Sequence, residues 1–166
     1  MSSDTTFVAD ADATLDLGTL RDVLGFHVTL ANVTTVALFE RHVGQPFGLR
    51  KAEYSLLMLL LANGATPAKW LARTLRLSAP AFTMLIDRMQ DKQWLRRERN
   101  PADRRSQLIV LTSGGQALAQ RAQAASKTME SSLQRRLSRA ERAMLIELLA
   151  KLARHREEAD DTAAPG

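Results

Sequence analysis

Arginine dominates the chemistry available to this sequence. Asp103, Arg104 and Arg105 stand together between two short runs, and Arg96, Arg97 and Arg99 lie within the first of those runs. A guanidinium is always charged and presents a rigid fork of donors that matches paired phosphate or carboxylate oxygens. Between positions 66 and 105, ten Lys/Arg face four Asp/Glu, a local net charge of +6 in a chain whose total is +5. The remainder is therefore slightly acidic. Positive charge gathered in one sub-region is the electrostatic footprint of phosphate contact. A run of arginines alone is more often a solvated strand, so the reading depends on the elements that carry it.

Those elements can be read from periodicity. Ser78 is a good N-cap, and Phe82, Leu85, Ile86 and Met89 recur at three- and four-residue spacing, which predicts a helix over 78–92 with one buried face. Its other face carries Ala79, Pro80, Thr83, Asp87 and Arg88, with Pro80 in the first turn, where a missing N–H is harmless. Residues 94–99 and 107–112 then read as two strands joined by a turn over 100–105. Upstream, Thr66 is expected to cap a short helix with Pro67 at its first position and Trp70, Leu71 and Leu75 facing inward. Arg76-Leu77 would turn the chain into the 78–92 helix, completing a helix-turn-helix. A helix followed by a β-hairpin with arginines at its tip is the arrangement by which a winged helix meets DNA.

The flanks are helical and apolar. Residues 1–16 contain four Asp and no basic residue and read as a mobile acidic arm. Residues 17–43 predict a helix apolar on all sides, which must be covered, in so short a chain most simply by a second subunit; Gly44-Gln45-Pro46-Phe47-Gly48 is expected to break it. Residues 49–63 predict a Leu-rich helix closed by Gly64. Thr112 is expected to cap a long helix to about residue 137, with Gly114-Gly115 as a loose start. Ser138 and Glu141 form a capping box ahead of a last helix, and the tail 157–166 is expected to be disordered. The fold class is mainly α with a small β-hairpin wing. A winged helix-turn-helix DNA-binding domain over 49–112 is flanked by a helical dimerisation region, 17–48 and 113–156.

Several functions are excluded on composition. With no cysteine there are no disulfides and no thiol chemistry, and three scattered histidines do not have metal-ligand spacing, so neither a metal nor a cofactor is expected. No apolar run is long enough to span a membrane, and the acidic N-terminus lacks an export pattern, which predicts a cytoplasmic protein. Glu53, Glu98 and Glu141 are scattered, no nucleophile has a histidine partner, and no phosphate loop is present, so no enzymatic activity is expected.

With these residues in place, the chain resembles the MarR family of bacterial winged helix-turn-helix regulators over residues 17–156. The most specific part is LIDRMQDKQWLRRERNPADRRSQLIVLTSGG, with its Asp-Arg helix end, basic first wing strand, Asp-Arg-Arg wing turn and Leu-Thr helix start. LRKAEY at 49–54 and LSRAER at 137–142 match two further family signatures. Three departures stand out. Gln93-Trp94 replaces the usual glycine and aliphatic, which predicts strain or an altered shape at the corner. Arg50 replaces the usual Ser/Thr cap. Ala79, Ala81 and Met84 occupy recognition-helix positions where relatives carry Ser, Thr or Arg, and offer contact with thymine methyls but no bidentate hydrogen bonds.

The resemblance implies a ligand-responsive homodimeric repressor on a palindromic operator in double-stranded DNA. Each subunit would lay residues 78–88, with Ser78, Ala79, Pro80, Thr83, Met84 and Arg88, in a major groove. Lys69 and Arg73 would contact the DNA backbone, Arg105 the minor groove and Arg104 phosphate, with Asp103 orienting the arginines. A small effector, in the family's manner an aromatic carboxylate, would bind near Arg21, His27, His42 and Arg50. For His27, a satisfied core histidine is the stronger alternative. The rival functions are a protein-interaction module and an architectural winged-helix protein, separable by salt-dependent duplex binding and by footprinting.

Overall fold

The computed structural model describes residues 15–103 and 106–162, with the backbone alone for Gln134 and residues 155–162. Most of the acidic arm and the wing-tip pair Arg104 and Arg105 lie outside the described residues. The chain divides into two compact units, Met1–Ala37 and Leu38–Gly166.

In the first unit the helix expected from residue 17 begins as a 3-10 turn, Gly18–Asp22, and is interrupted by extended Val23 (φ −87°, ψ 100°) before α1, Leu24–Phe39. Asp16 organises the start, its Oδ1 accepting from the Gly18 N–H at 3.0 Å and from Arg21 Nη2 at 3.2 Å. Leu24, Val28 and Val33 of α1 are exposed.

In the second unit, which opens at Leu38, a break was expected from Gly44. The helix instead continues through a π turn, Glu40–Gly44, into a short α2, Gln45–Phe47, and stops only at Gly48 (φ 61°). Left-handed Gly48 closes the helix end by letting the Leu49 N–H bond the Gly44 carbonyl at 3.0 Å and the Gly48 N–H the Gln45 carbonyl at 3.4 Å. Pro46 sits in the first turn of α2, where a missing donor is tolerated. The chain then forms α3, Lys51–Asn63, whose buried stripe is Glu53, Leu56, Leu57 and Leu60.

Residues 66 and 67 differ from expectation. Thr66 does not cap the next helix. Its hydroxyl donates to the Gly64 carbonyl at 3.0 Å, and Thr66–Pro67 form strand β1. Proline is tolerated there because β1 lies at a sheet edge. Helix α4, Ala68–Leu75, follows with Pro67 at its cap position. Left-handed Arg76 (φ 53°) turns the chain into α5, Ala79–Asp91. Strands β2, Leu95–Arg99, and β3, Gln107–Leu111, complete an antiparallel sheet ordered β1-β3-β2, with Leu95 opposite Leu111 and Arg97 opposite Ile109. Phe82, Leu85, Ile86 and Met89 of α5 join Leu95, Ile109, Leu71 and the α3 leucines in one core.

Helix α6, Ser113–Gln134, is capped by Thr112 as the sequence suggests and packs on α3, burying Ala119 and Ala122. Of its two glycines, Gly115 is not a loose start. A Cβ at Gly115 would overlap the Trp94 carbonyl, so the close approach requires glycine. Helix α7, Arg139–Thr162, has both bonds of the Ser138–Glu141 capping box and runs past the point where the tail was expected to begin. Alanine and glutamate, both good helix formers, carry it on. Met144, Leu145, Ile146, Leu148, Leu149 and Leu152 of α7 are exposed. No helix among the described residues is long and apolar enough to cross a membrane.

Candidate nucleic-acid interface

Helix α5 presents one face to the core and the other to solvent. Ser78 caps it, its hydroxyl oxygen accepting from the Ala81 N–H at 3.4 Å. Ala79, Pro80, Ala81, Thr83 and Met84 are all exposed, Met84 at 69%. Helical geometry places Pro80, Met84 and Asp87 along the line opposite the buried Phe82, Leu85, Ile86 and Met89. The Thr83 hydroxyl donates back to the Ala79 carbonyl at 2.9 Å.

On α4, Lys69 and Arg73 are exposed and stand one turn apart on the same side. Trp70, expected in the core, is 67% exposed; Leu71 is buried, with Ala68, Ala72 and Leu75 partly buried against the core, on the inward side of this eight-residue helix. An aromatic surface beside Lys69 was thus missed from the sequence. Arg76, at the turn, donates to the Ala153 carbonyl of α7.

Ion pairs at two places, Glu53 with Arg88 and Lys92, and Asp87 with Arg97, hold α5 in place. Glu53 of α3 has no exposed surface, and its Oε1 accepts from Arg88 Nε at 2.8 Å and lies 3.5 Å from Lys92 Nζ. Its Oε2 accepts from the Arg50 N–H at 2.8 Å, half of a capping box that an arginine, having no acceptor, cannot complete. Burial pushes the Glu53 carboxyl up, but the Arg50 N–H, Arg88 and Lys92 outweigh it and hold the group below its ordinary value of 4.5. Arg88 thus serves first as an anchor between α5 and α3, with its side chain only about a third exposed at 34%. Sequence reasoning set Glu53 aside as scattered, yet its spacing from Leu56, Leu57 and Leu60 places it on the buried stripe opposite an available arginine. The second pair joins α5 to the wing: Arg97 of β2 donates to Asp87 Oδ1 at 2.6 Å and to Gln90 Oε1 at 3.2 Å.

The corner between α5 and β2 is left-handed at Gln93 (φ 57°), where the resemblance led us to expect strain. Thr112 clamps it, its hydroxyl donating to the Gln93 carbonyl at 2.7 Å and its N–H to the Trp94 carbonyl at 3.1 Å. Lys92 Nζ lies 4.3 Å from the centre of the Trp94 ring. The wing is closed at its base by Asn100 and Ser106, whose side chains bond at 2.8 Å, and the Asp103 carbonyl accepts from the Ser106 N–H at 3.0 Å.

Of the four effector candidates, Arg21 and His27 lie in the first unit and His42 and Arg50 in the second. In the first unit, His27 Nε2 donates to the Arg21 carbonyl at 2.8 Å and its ring meets Phe26 edge-on at 5.6 Å, while the Arg21 side chain pairs with Asp16. His27 is half-buried and its neighbours Leu20, Val23 and Leu24 are exposed, so it is not the core residue that the sequence offered as the alternative. In the second unit, His42 is half-buried in the π turn and Arg50 is exposed at the start of α3.

The MarR family model matches residues 47–106, the segment holding α3, α4, α5 and the wing. The repressor CouR, solved on a 23-mer DNA duplex, superposes with a TM-score of 0.78 at 32% identity, covering 85% of this chain and 99% of that one. CouR bound to p-coumaroyl-CoA gives 0.74 at 30% identity, covering 85% and 99%. A mutant of MarR from Escherichia coli in complex with operator DNA gives 0.72 at 27% identity, covering 83% and 99%.

Proposed function

The chain belongs to the MarR family of DNA-binding transcriptional regulators, and on that premise we propose that it is a ligand-responsive repressor that binds a palindromic operator as a homodimer. The observation that carries this reading is the exposed face of α5, held by the Glu53–Arg88 and Asp87–Arg97 pairs beside exposed Lys69 and Arg73. That face is a helix suited to a major groove, with cations positioned for the flanking phosphates. In this reading Ser78 and Lys69 meet phosphate, Arg73 and Arg104 continue the backbone track, and Arg105 enters the minor groove with Asp103 orienting it.

The exposed apolar residues of α1 and α7 support the homodimer, since surfaces of that kind on terminal helices require cover. Two recognition helices about one DNA turn apart, roughly 34–36 Å, would then engage both half-sites. For the effector we propose an aromatic carboxylate, with Arg21, His27, His42 and Arg50 as the polar candidates; the p-coumaroyl-CoA bound by CouR, the thioester of an aromatic acid, supports the aromatic acyl part of that class. Release requires that the effector bind the DNA-incompetent state more tightly, because equal affinity for both states shifts nothing. Light scattering and a duplex titration test the reading together: two chains per palindromic duplex, released by a member of an aromatic carboxylate panel, is the expected result. A monomer indifferent to every acid would overturn it.

A further inference from the structure

The polar side chains along the first three turns of α5 are engaged within the protein. Thr83 spends its proton on the Ala79 carbonyl, Asp87 and Gln90 both accept from Arg97, and Arg88 donates through Nε to buried Glu53. Ser78, at the cap, already accepts from the Ala81 N–H and keeps one proton, suited to a phosphate at the helix N-terminus. The apolar residues exposed on this face are Ala79, Pro80, Ala81 and Met84. In a major groove only one feature of the base edges is apolar, the C5-methyl group of a pyrimidine.

We infer that α5 reads its operator through pyrimidine C5-methyl groups, with Met84 as the principal contact and Ala79 and Ala81 admitting the close approach. The inference rests on the regulator reading given above. Occupancy by DNA rather than by an apolar protein surface follows from charge: Lys69 and Arg73 are exposed on the preceding helix α4, and the segment from 66 to 105 carries a net +6. Met84 suits the task because an unbranched thioether adapts to a methyl group without a fixed geometry. The geometry also separates roles on the helix. Asp87 would repel phosphate if it were free, and its pair with Arg97 offsets that charge.

Thymine and 5-methylcytosine both present this methyl group, and the experiment has an arm for each. A duplex is first selected from a random library by the full-length chain. Each thymine in its half-sites is then replaced by uracil, which removes the methyl and leaves every hydrogen-bonding group, and each cytosine in turn by 5-methylcytosine. Affinities are measured for the wild type and for Met84→Ala, a substitution at an exposed position that leaves folding intact. The expected result is a loss of about three- to fourfold for each contacted thymine methyl removed, abolished in Met84→Ala. A gain of similar size on cytosine methylation alone would assign the same contact to 5-methylcytosine. Tight, salt-dependent binding that is indifferent to every methyl change would overturn the inference and leave the regulator reading standing. Failure to select any duplex would overturn the regulator reading itself.

Discussion

Glu53, buried in α3, and Arg88, on the recognition helix, meet at 2.8 Å. The pair fixes the exposed helix to the core scaffold, and its two members differ in their access to water: the carboxylate has none, the guanidinium keeps about a third of its surface at 34%. Removing the acid should therefore cost more than removing a surface ion pair. Glu53→Gln, which keeps the volume, is expected to lose about 1.5–3 kcal/mol, the range for a hydrogen bond to a charged group. Urea unfolding at neutral pH measures it.

The same pair sets a pH dependence. Because the folded Glu53 carboxyl titrates below its ordinary value of 4.5, its contribution is fully present above that value and is lost as pH falls through the lower folded one. The stability gap between wild type and Glu53→Gln should be constant near neutrality and close progressively below pH 4.5. A gap that widens in acid would show that the sign is wrong.

Gln93 carries a side chain at φ 57°, a conformation that costs a non-glycine residue about 1–2 kcal/mol. Glycine there also has a more flexible unfolded state, which offsets about 0.5–1 kcal/mol. Gln93→Gly should then be more stable by about 0.5–1 kcal/mol, a rise of roughly 1–4 °C in Tm for a chain of this size. Gln93→Val, β-branched, should be less stable than the wild type. Differential scanning calorimetry compares the three.

Gly114 and Gly115 look alike in sequence but have different surroundings. A Cβ at Gly114 would meet nothing nearer than Thr112 Oγ1 at 3.8 Å, whereas one at Gly115 would overlap the Trp94 backbone. Gly114→Ala should be tolerated, with helix propensity favouring it by up to about 1 kcal/mol. Gly115→Ala must displace the α5–β2 corner and should destabilise by about 1–3 kcal/mol or more. Thermal unfolding followed by circular dichroism separates them.

Much of the architecture was legible because local signals agreed with one another. The spacing of Phe82, Leu85, Ile86 and Met89, the caps Ser78, Thr112 and Ser138, and the change of period at Trp94 each correspond to an element or boundary close to where they were expected. The misreadings share a different cause: they depended on neighbours far away in sequence. Trp70 could not be oriented because an eight-residue helix admits more than one inward stripe. Thr66-Pro67 resembles a helix start until β3 is placed beside it. Gly115 carried no local sign of the Trp94 carbonyl above it. At the candidate interface, residue types on α5 were readable, but their availability was not. That Arg88, Asp87 and Gln90 are engaged internally became visible only when Glu53 and Arg97 were brought to them.

The central claim, that this surface binds duplex DNA through α4, α5 and the wing, is tested most directly by the salt dependence of binding for the wild type, Arg73→Ala and Arg105→Ala. Each phosphate contact contributes about 0.9 to the slope of log affinity against log salt. Expected are strong salt dependence for the wild type, a slope shallower by about one per subunit for Arg73→Ala, and weaker binding with a reduced slope for Arg105→Ala, with unfolding curves unchanged. Affinities and slopes for both variants that match the wild type, or wild-type binding insensitive to salt, would contradict it.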